Sequence, residues 1–133
     1  MSEPFQIEVK WAGARSVTVG AGSATTSDAF LFLPNTTSTR GTYKANNAGT
    51  PTAGDTVDFY ILGSNGDPDG SGADERASAD TTHGDYIVTL DTLVTDPAIR
   101  NGNTAGYKDG KIRVVNNAAS AAVVSCILQE FAS

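Results

Sequence analysis

The sequence predicts an all-β protein, an antiparallel two-sheet β-sandwich of jelly-roll or related Greek-key kind with about eight strands. Apolar and polar residues alternate with a period of two along several segments, as in half-buried strands. No segment long enough to stand as a helix has helical periodicity. Residues 56–63 are apolar or β-favouring on both faces, which is typical of a central strand. The chain of 133 residues is expected to form one domain, 1–133, that needs no disulfide or metal to fold.

The predicted strands span, in chain order, residues 5–11, 16–19, 29–33, 40–45, 56–63, 86–91, 111–115 and 122–131. In the first, every second residue from Phe5 to Trp11 is apolar, so we expect these side chains, Trp11 included, on a core. After the turn at Ala12 and Gly13, the second strand is expected to return as in a hairpin. In the sixth, Tyr86, Val88 and Leu90 share one face.

The connecting segments are predicted from small and polar residues. Residues 20–28 are expected to be a loop, and Pro34 is expected to end the strand before it. The region from 35 to 55 has little to bury, so its strand is expected at a sheet edge, on the surface or against a neighbour.

Later segments follow the same logic. Residues 64–84 are expected to be an acidic, glycine-rich loop, and residues 96–102 are expected to turn. Gln129 and Glu130 are expected to mark the exposed end of the last strand. The alanine-rich pieces at 73–79 and 118–122 are weak helix candidates, because both lack an apolar stripe.

Charge and hydropathy exclude several kinds of partner. The formal net charge is −6, and the nine Lys and Arg residues are scattered, so nucleic acid and anionic lipid are not expected to bind. The amino-terminal segment is acidic and alternating rather than basic and then apolar, and no apolar run is long enough to span a bilayer. We expect a soluble protein, made in the cytoplasm, with no membrane partner.

The single cysteine, Cys126, lies in an apolar strand, which favours a buried and inert thiol over a nucleophile. The glycine-rich residues 20–25 resemble a phosphate loop in composition. No helix pattern follows them to supply an anion-binding amino terminus, so a connecting turn is the better interpretation.

The acidic stretch between residues 55 and 96 contains the candidates for a metal or catalytic site. Asp67, Asp69 and Asp74 lie in a stretch that begins like a calcium loop, but Ser78 stands where a bidentate Glu is needed. His83 lies between Asp80 and Asp85, but the sequence has no Gly-x-Ser-x-Gly pattern that would supply a nucleophilic serine for it to activate. The carboxylates have too few aromatic neighbours for a glycosidase cleft. We therefore assign no catalytic, cofactor or metal residue and expect a protein that is not an enzyme, while calcium at the aspartates stays open.

The charges are also segregated along the chain. Ten of the fifteen carboxylates lie between residues 55 and 96, where Arg76 is the sole cation, and basic residues flank this stretch on both sides. A second copy of the chain could dock its acidic stretch on these flanks, head to tail.

Three segments carry a resemblance to a known class of protein. They are DTVDFYILGSNGDPDG, GDYIVTLDTLVTDPAIRNG and KIRVVNNAASAAVVSCILQEF, within residues 55–131. Together they resemble small virion proteins of tailed bacteriophages. The resemblance implies a β-sandwich head-decoration or cement protein that binds the major capsid protein on the outside of the head. It also implies a virion location and a homo-oligomer, a dimer or trimer, and it brings no catalytic residue.

A carbohydrate-binding or adhesive sandwich domain of a phage tail or surface protein is the alternative. Such a domain would use exposed aromatic side chains, with Trp11, Tyr43, Tyr60 and Tyr107 as the candidates. The alternation around Trp11 predicts burial and so favours a core role for that residue.

Overall fold

The computed structural model describes residues 5–33, 36–50, 52, 54–64, 85–92, 97–102 and 109–132. Their regular structure consists of antiparallel strands. The strands are β1 (Phe5–Glu8), β2 (Ser16–Val19), β3 (Ala24–Thr26), β4 (Phe30–Leu31), β5 (Thr36–Asn47), β6 (Thr56–Ser64), β7 (Asp85–Asp91), β8 (Ala98–Gly102), β9 (Asp109–Asn116) and β10 (Ala122–Ala132). No helix long and apolar enough to cross a membrane occurs among the described residues. The predicted all-β class is confirmed.

The strands form two sheets. Sheet 1 has the order β1–β10–β5–β8, with β2 also paired to β10, and sheet 2 has the order β3–β9–β6–β7, with β4 also paired to β9. The pairings are nested: β6 pairs with β7, β5 with β8, β3 and β4 with β9, and β1 and β2 with β10. The chain therefore folds back on itself once, between β6 and β7, and the doubled ribbon is rolled into two sheets. This is jelly-roll connectivity.

The core lies between the two sheets and follows the period-two pattern of their strands. Along β9 and β10 every second side chain is buried. The rings of Tyr43 in sheet 1 and Phe59 in sheet 2 meet edge to face across the core, with centroids 5.3 Å apart. The predicted burial of Trp11 and Cys126 is confirmed, at 5% and 4% exposed.

The amino-terminal strands are arranged differently from the predicted hairpin. β1 and β2 do not pair with each other; both run antiparallel to β10, where Glu8 lies opposite Ile127 and Ser16 opposite Ser125. Residues 9–15 are thus an excursion from one edge strand, opposite Cys126. The excursion is closed by Trp11 and Ala14, which bond to each other through both backbone N–H groups.

Two strands were missed, and one was placed wrongly. β3 lies inside the predicted loop 20–28, and β8 lies inside the predicted turn 96–102. β5 is not an edge strand, because β10 and β8 pair with its two sides. The predicted strand 29–33 is reduced to the two residues of β4, whose Leu31 is exposed. Residues 118–120 form bends rather than a helix, and residues 65–84, with the other helix candidate at 73–79, lie outside the described residues.

Two side chains point the opposite way from the prediction. Glu130 is buried, because β10 alternates without interruption to its end, and the Glu130 carboxylate accepts a hydrogen bond from the backbone N–H of Leu33 at 3.2 Å. Tyr86 is exposed, although the alternation places it with Val88 on the core side. The cause is a β-bulge: Val88 pairs with Phe59 and Tyr86 with Tyr60, so Ile87 has no opposite residue.

Candidate functional site

The residues considered from sequence for chemistry do not form a reactive centre in the described part of the chain. Burial raises the pKa of the Cys126 thiol, so the thiol stays protonated and inert. Within the glycine-rich residues 20–25, Ser23 donates its backbone N–H to Gly20 and the chain enters β3 rather than a helix, so the connecting-turn interpretation is confirmed. Among the described residues, no three His, Cys, Asp or Glu side chains lie together in a way that could hold a metal ion. The calcium candidates Asp67, Asp69 and Asp74, together with His83 and Asp80, lie outside them.

The outer face of sheet 1 combines exposed apolar side chains with cations. Glu8, Ile127, Thr42 and Ile99 form one row across β1, β10, β5 and β8. Ile99 is 57% exposed and Ile127 is 42% exposed. Their outward positions follow from the period of two, since the neighbours of Ile127 along β10, Cys126 and Leu128, are buried.

The cations lie on both sides of this row. Arg40 lies two residues before Thr42 on β5, and its Nε–H donates to the side-chain amide oxygen of Asn101 at 3.0 Å. Lys44 lies on the other side, opposite Ser125. Arg15 forms an ion pair with Glu8 at 2.9 Å. We call this surface, made of Arg15, Arg40, Thr42, Lys44, Ile99 and Ile127, the basic face.

A groove of about 370 Å³ crosses the basic face where the chain leaves the sheet between β1 and β2. Glu8, Arg15, Lys44 and Ile127 are among its lining residues. The groove lies where β10 has no paired strand on the β1–β2 side, at Cys126. There the backbone N–H of Val9, in the excursion, donates to the backbone carbonyl of Cys126 at 3.2 Å.

The outer face of sheet 2 carries an aromatic pair. Tyr60 and Tyr86 lie opposite each other on β6 and β7, with ring centroids 6.1 Å apart and ring planes at 70°. Tyr86 is 61% exposed. On the other side of Tyr60 is Arg113 of β9, whose guanidinium donates to the Thr26 hydroxyl at 3.1 Å.

Polar side chains lie next to this pair and are held in place by hydrogen bonds to one another. The Asp58 carboxylate accepts hydrogen bonds from the Thr89 hydroxyl at 2.5 Å and from the Asn117 amide at 2.9 Å. The Tyr86 hydroxyl donates to Thr89 at 3.1 Å. We call this surface the tyrosine face, and it consists of Asp58, Tyr60, Tyr86, Thr89, Arg113 and Asn117.

The aromatic candidates named from sequence separate clearly. Trp11 and Tyr43 are core residues, so neither is available to a ligand. Tyr60 is half-buried on the outer face of sheet 2, and Tyr107 lies outside the described residues. Tyr86 was missed, because a bulge leaves no signal in a strand that otherwise alternates.

No protein-family model and no curated protein matches the sequence. The structure is similar to part of the chain of endo-1,4-beta-D-xylanase 10B from Clostridium thermocellum, solved as its CBM22-1–GH10 modules complexed with xylohexaose. The TM-score is 0.54 at 9% identity, over 98% of this chain and 25% of that chain. This likeness shows a shared fold.

Two phage-related structures also match. One is SPBc2 prophage-derived protein YomS, with a TM-score of 0.42 and 15% identity over 97% of this chain and 96% of that chain. The other is from the acidic stable capsid of Helicobacter pylori bacteriophage KHP30, with a TM-score of 0.39 and 15% identity over 98% of this chain and 95% of that chain.

Proposed function

We propose that this chain is a structural protein of a phage particle, of the head-decoration or cement type, that binds the outside of the capsid and stabilises it. The proposal rests on the resemblance of residues 55–131 to small phage virion proteins, together with one structural observation. That observation is the basic face, where exposed isoleucines and cations lie together on the strands of a sheet.

The exposed isoleucines favour a protein partner. Ile99 and Ile127 lie on either side of Thr42 in one row, held by backbone hydrogen bonds of three strands. Apolar side chains grouped on a rigid face and bordered by polar residues are typical of protein–protein contacts. Covering them would remove apolar surface from water with little loss of backbone entropy, since the sheet is already ordered.

The charge of the face favours an acidic partner surface. The protein has a formal net charge of −6, yet among the described residues this face gathers Arg15, Arg40 and Lys44 around one carboxylate, Glu8. Such a local reversal steers docking toward an acidic patch and orients the protein on it. The partner that we propose is the major capsid protein.

The same charges bear on self-association. Of the cations that flank the acidic stretch, Arg40, Lys44 and Arg100 lie on strands of sheet 1, and Lys111 and Arg113 lie on a strand of sheet 2. We retain a homo-oligomer, a dimer or trimer joined by charge complementarity, as part of the proposal. Light scattering at low and high salt tests it, because an oligomer held this way loosens as salt screens the charges. An unchanged mass would remove the head-to-tail arrangement and leave the basic face as a capsid contact.

The proposal treats the chain as a binding protein rather than an enzyme and locates it in the virion. Co-sedimentation with capsids that lack the protein tests it. The test variant is Ile99→Asp, and the matched control is Leu31→Asp. Leu31 is also an exposed aliphatic residue, at 69% against 57% for Ile99, and it lies on sheet 2. We expect wild type and Leu31→Asp to sediment with the capsids and to raise their heat resistance, and Ile99→Asp to stay in solution. No binding by wild type would overturn the proposed function, and equal binding by both variants would overturn the role of the basic face.

A further inference from the structure

We propose that the tyrosine face is a binding site for a neutral oligosaccharide, in which Tyr60 and Tyr86 pack against a sugar ring and Asp58 with its neighbours bonds the hydroxyls. This site is on the opposite sheet from the basic face. It does not depend on capsid binding.

The first step of the argument is the way the aromatic pair is built. Without the bulge at Ile87, the alternation of β7 would direct the Tyr86 ring toward the core with Val88. The bulge instead leaves Tyr86 61% exposed beside Tyr60. Bulges cost ladder hydrogen bonds and are over-represented where a strand directs a side chain to a functional position.

The second step is the shape of the pair. The ring planes meet at 70° with centroids 6.1 Å apart, so the rings touch edge to face and make an angled corner, here called a notch, rather than a flat platform. The C–H face of a pyranose ring packs on an aromatic face, and a tyrosine offers an apolar ring together with a polar hydroxyl. A notch suits a single sugar ring or the end of a soluble or surface-anchored chain. A crystalline polysaccharide would need coplanar rings.

The third step is the hydrogen-bonding capacity beside the rings. Each Asp58 carboxylate oxygen already accepts one hydrogen bond, from Thr89 or from Asn117, and each has a further lone pair. The Tyr86 hydroxyl donates to Thr89 and can still accept. These groups are held by one another on strands β6 and β7, which is the pre-organisation that binding of sugar hydroxyls requires.

The charge of the face separates a sugar from the other ligand that stacks on tyrosines, a single-stranded nucleic acid. Such a site needs a cationic groove along the phosphates. Arg113 lies beside Tyr60, but the carboxylate of Asp58 is next to the rings as well, Asp91 is on the same strand as Tyr86, and the protein has a formal net charge of −6. The acids and the net charge together repel a polyanion and tolerate a neutral sugar.

The test is a printed array of neutral oligosaccharides, followed by calorimetry with cello-, xylo-, manno- and malto-oligosaccharides. We expect wild type to bind at least one of them. Tyr86→Phe, which keeps the ring and loses the hydroxyl, should bind more weakly than wild type but more tightly than Tyr86→Ala, and Tyr86→Ala and Asp58→Ala should bind at least about tenfold more weakly than wild type. Leu31→Ala, an exposed aliphatic truncated on the same sheet, and Ile99→Asp on the basic face should both retain wild-type affinity. Circular dichroism melts confirm that each variant is folded.

Three results would overturn the proposal. They are the absence of binding to every neutral sugar tested, binding that Tyr86→Ala leaves intact, and binding of oligo(dT) that Tyr86→Ala abolishes. Because Ile99→Asp affects the basic face alone, failure of the sugar site and failure of capsid attachment are told apart by the same set of variants.

Discussion

The ring of Tyr43 lies directly over Gly41, two residues before it on the same inner face of β5, so that a methyl group at Gly41 would occupy the space of the tyrosine ring. The Tyr43 ring continues from there to Phe59 in the facing sheet. Gly41 thus leaves room for the largest fully buried side chain of the core.

Gly41→Ala is expected to destabilise the protein by about 1–3 kcal/mol, because the new methyl group forces Tyr43 out of its place between the sheets. Urea unfolding measures the change. Gly20→Ala is the matched control, since a methyl group there would meet its nearest neighbour, the Ser23 Oγ atom, at an ordinary 3.4 Å. Equal stability of the two variants would show that Tyr43 does not occupy this position.

The Asn116 side chain, at the end of β9, forms hydrogen bonds with two neighbouring loops. Its side-chain Nδ2 lies 3.0–3.2 Å from the backbone carbonyl oxygens of Val19, Gly20 and Ser120. Its side-chain Oδ1 accepts a hydrogen bond from the backbone N–H of Ala118 at 2.8 Å. Asn116→Ala leaves these buried groups without a partner and should cost on the order of 3 kcal/mol.

Asn101→Ala serves as the comparison for Asn116→Ala, because Asn101 is exposed and bonds a surface arginine. We expect its free energy of unfolding to lie within about 0.5 kcal/mol of wild type. If Asn116→Ala is as stable as Asn101→Ala, the hydrogen bonds of the Asn116 side chain do not stabilise the fold.

Stability should fall in alkaline solution. Burial raises the pKa of Tyr43 above its ordinary value of 10.0 and that of Cys126 above 9.0, and both groups are neutral when protonated. The unfolded chain releases these protons at the ordinary values while the folded chain keeps them. The stability that these two protonated groups contribute is therefore fully present below pH 9.0. As the pH rises above that value, the free energy of unfolding falls by up to about 1.4 kcal/mol per pH unit for each group.

Urea midpoints between pH 7 and pH 11 measure this effect. In Cys126→Ala, which removes one of the two groups, the decline should be shallower and begin nearer pH 10.0, the ordinary value of tyrosine. A free energy of unfolding that is constant or rises over this range would contradict the burial of both groups.

The Cys126 thiol should react slowly in the native protein. It is 4% exposed and its raised pKa keeps it protonated, whereas alkylation requires an accessible thiolate. At pH 8, iodoacetamide should modify the thiol in urea and leave it largely unmodified in buffer, as mass spectrometry will report. Comparable rates in the two solutions would place Cys126 on the surface.

The sequence predicts the fold class because the long strands carry their own pattern. β1, β6, β9 and β10 are recognisable from period-two alternation or from apolar content alone. β5 is not, because its inward residues are Thr39, Gly41, Tyr43 and Ala45. Its central place comes from pairing with β10 and β8, which no local segment encodes. The short polar strands β3 and β8 were missed for the same reason.

The candidate sites were less predictable than the fold. Residue types such as Tyr60 pointed to a binding surface, but the partner of Tyr60 is set by one unpaired residue, Ile87, in an alternating strand. The basic face joins Arg15, Lys44 and Ile99 from three separate segments. Sequence shows the charges but not their assembly on one side of a sheet.

Hydroxyl-radical footprinting of the protein, free and bound to capsids, tests the central claim most directly. Ile99, Ile127, Leu31 and Tyr86 are all exposed in the free protein and open to oxidation. We predict that capsids protect Ile99 and Ile127 and leave Leu31 and Tyr86 as reactive as before. Protection of Leu31 and Tyr86 with Ile99 and Ile127 still reactive, or no change at any of the four, would contradict attachment through the basic face.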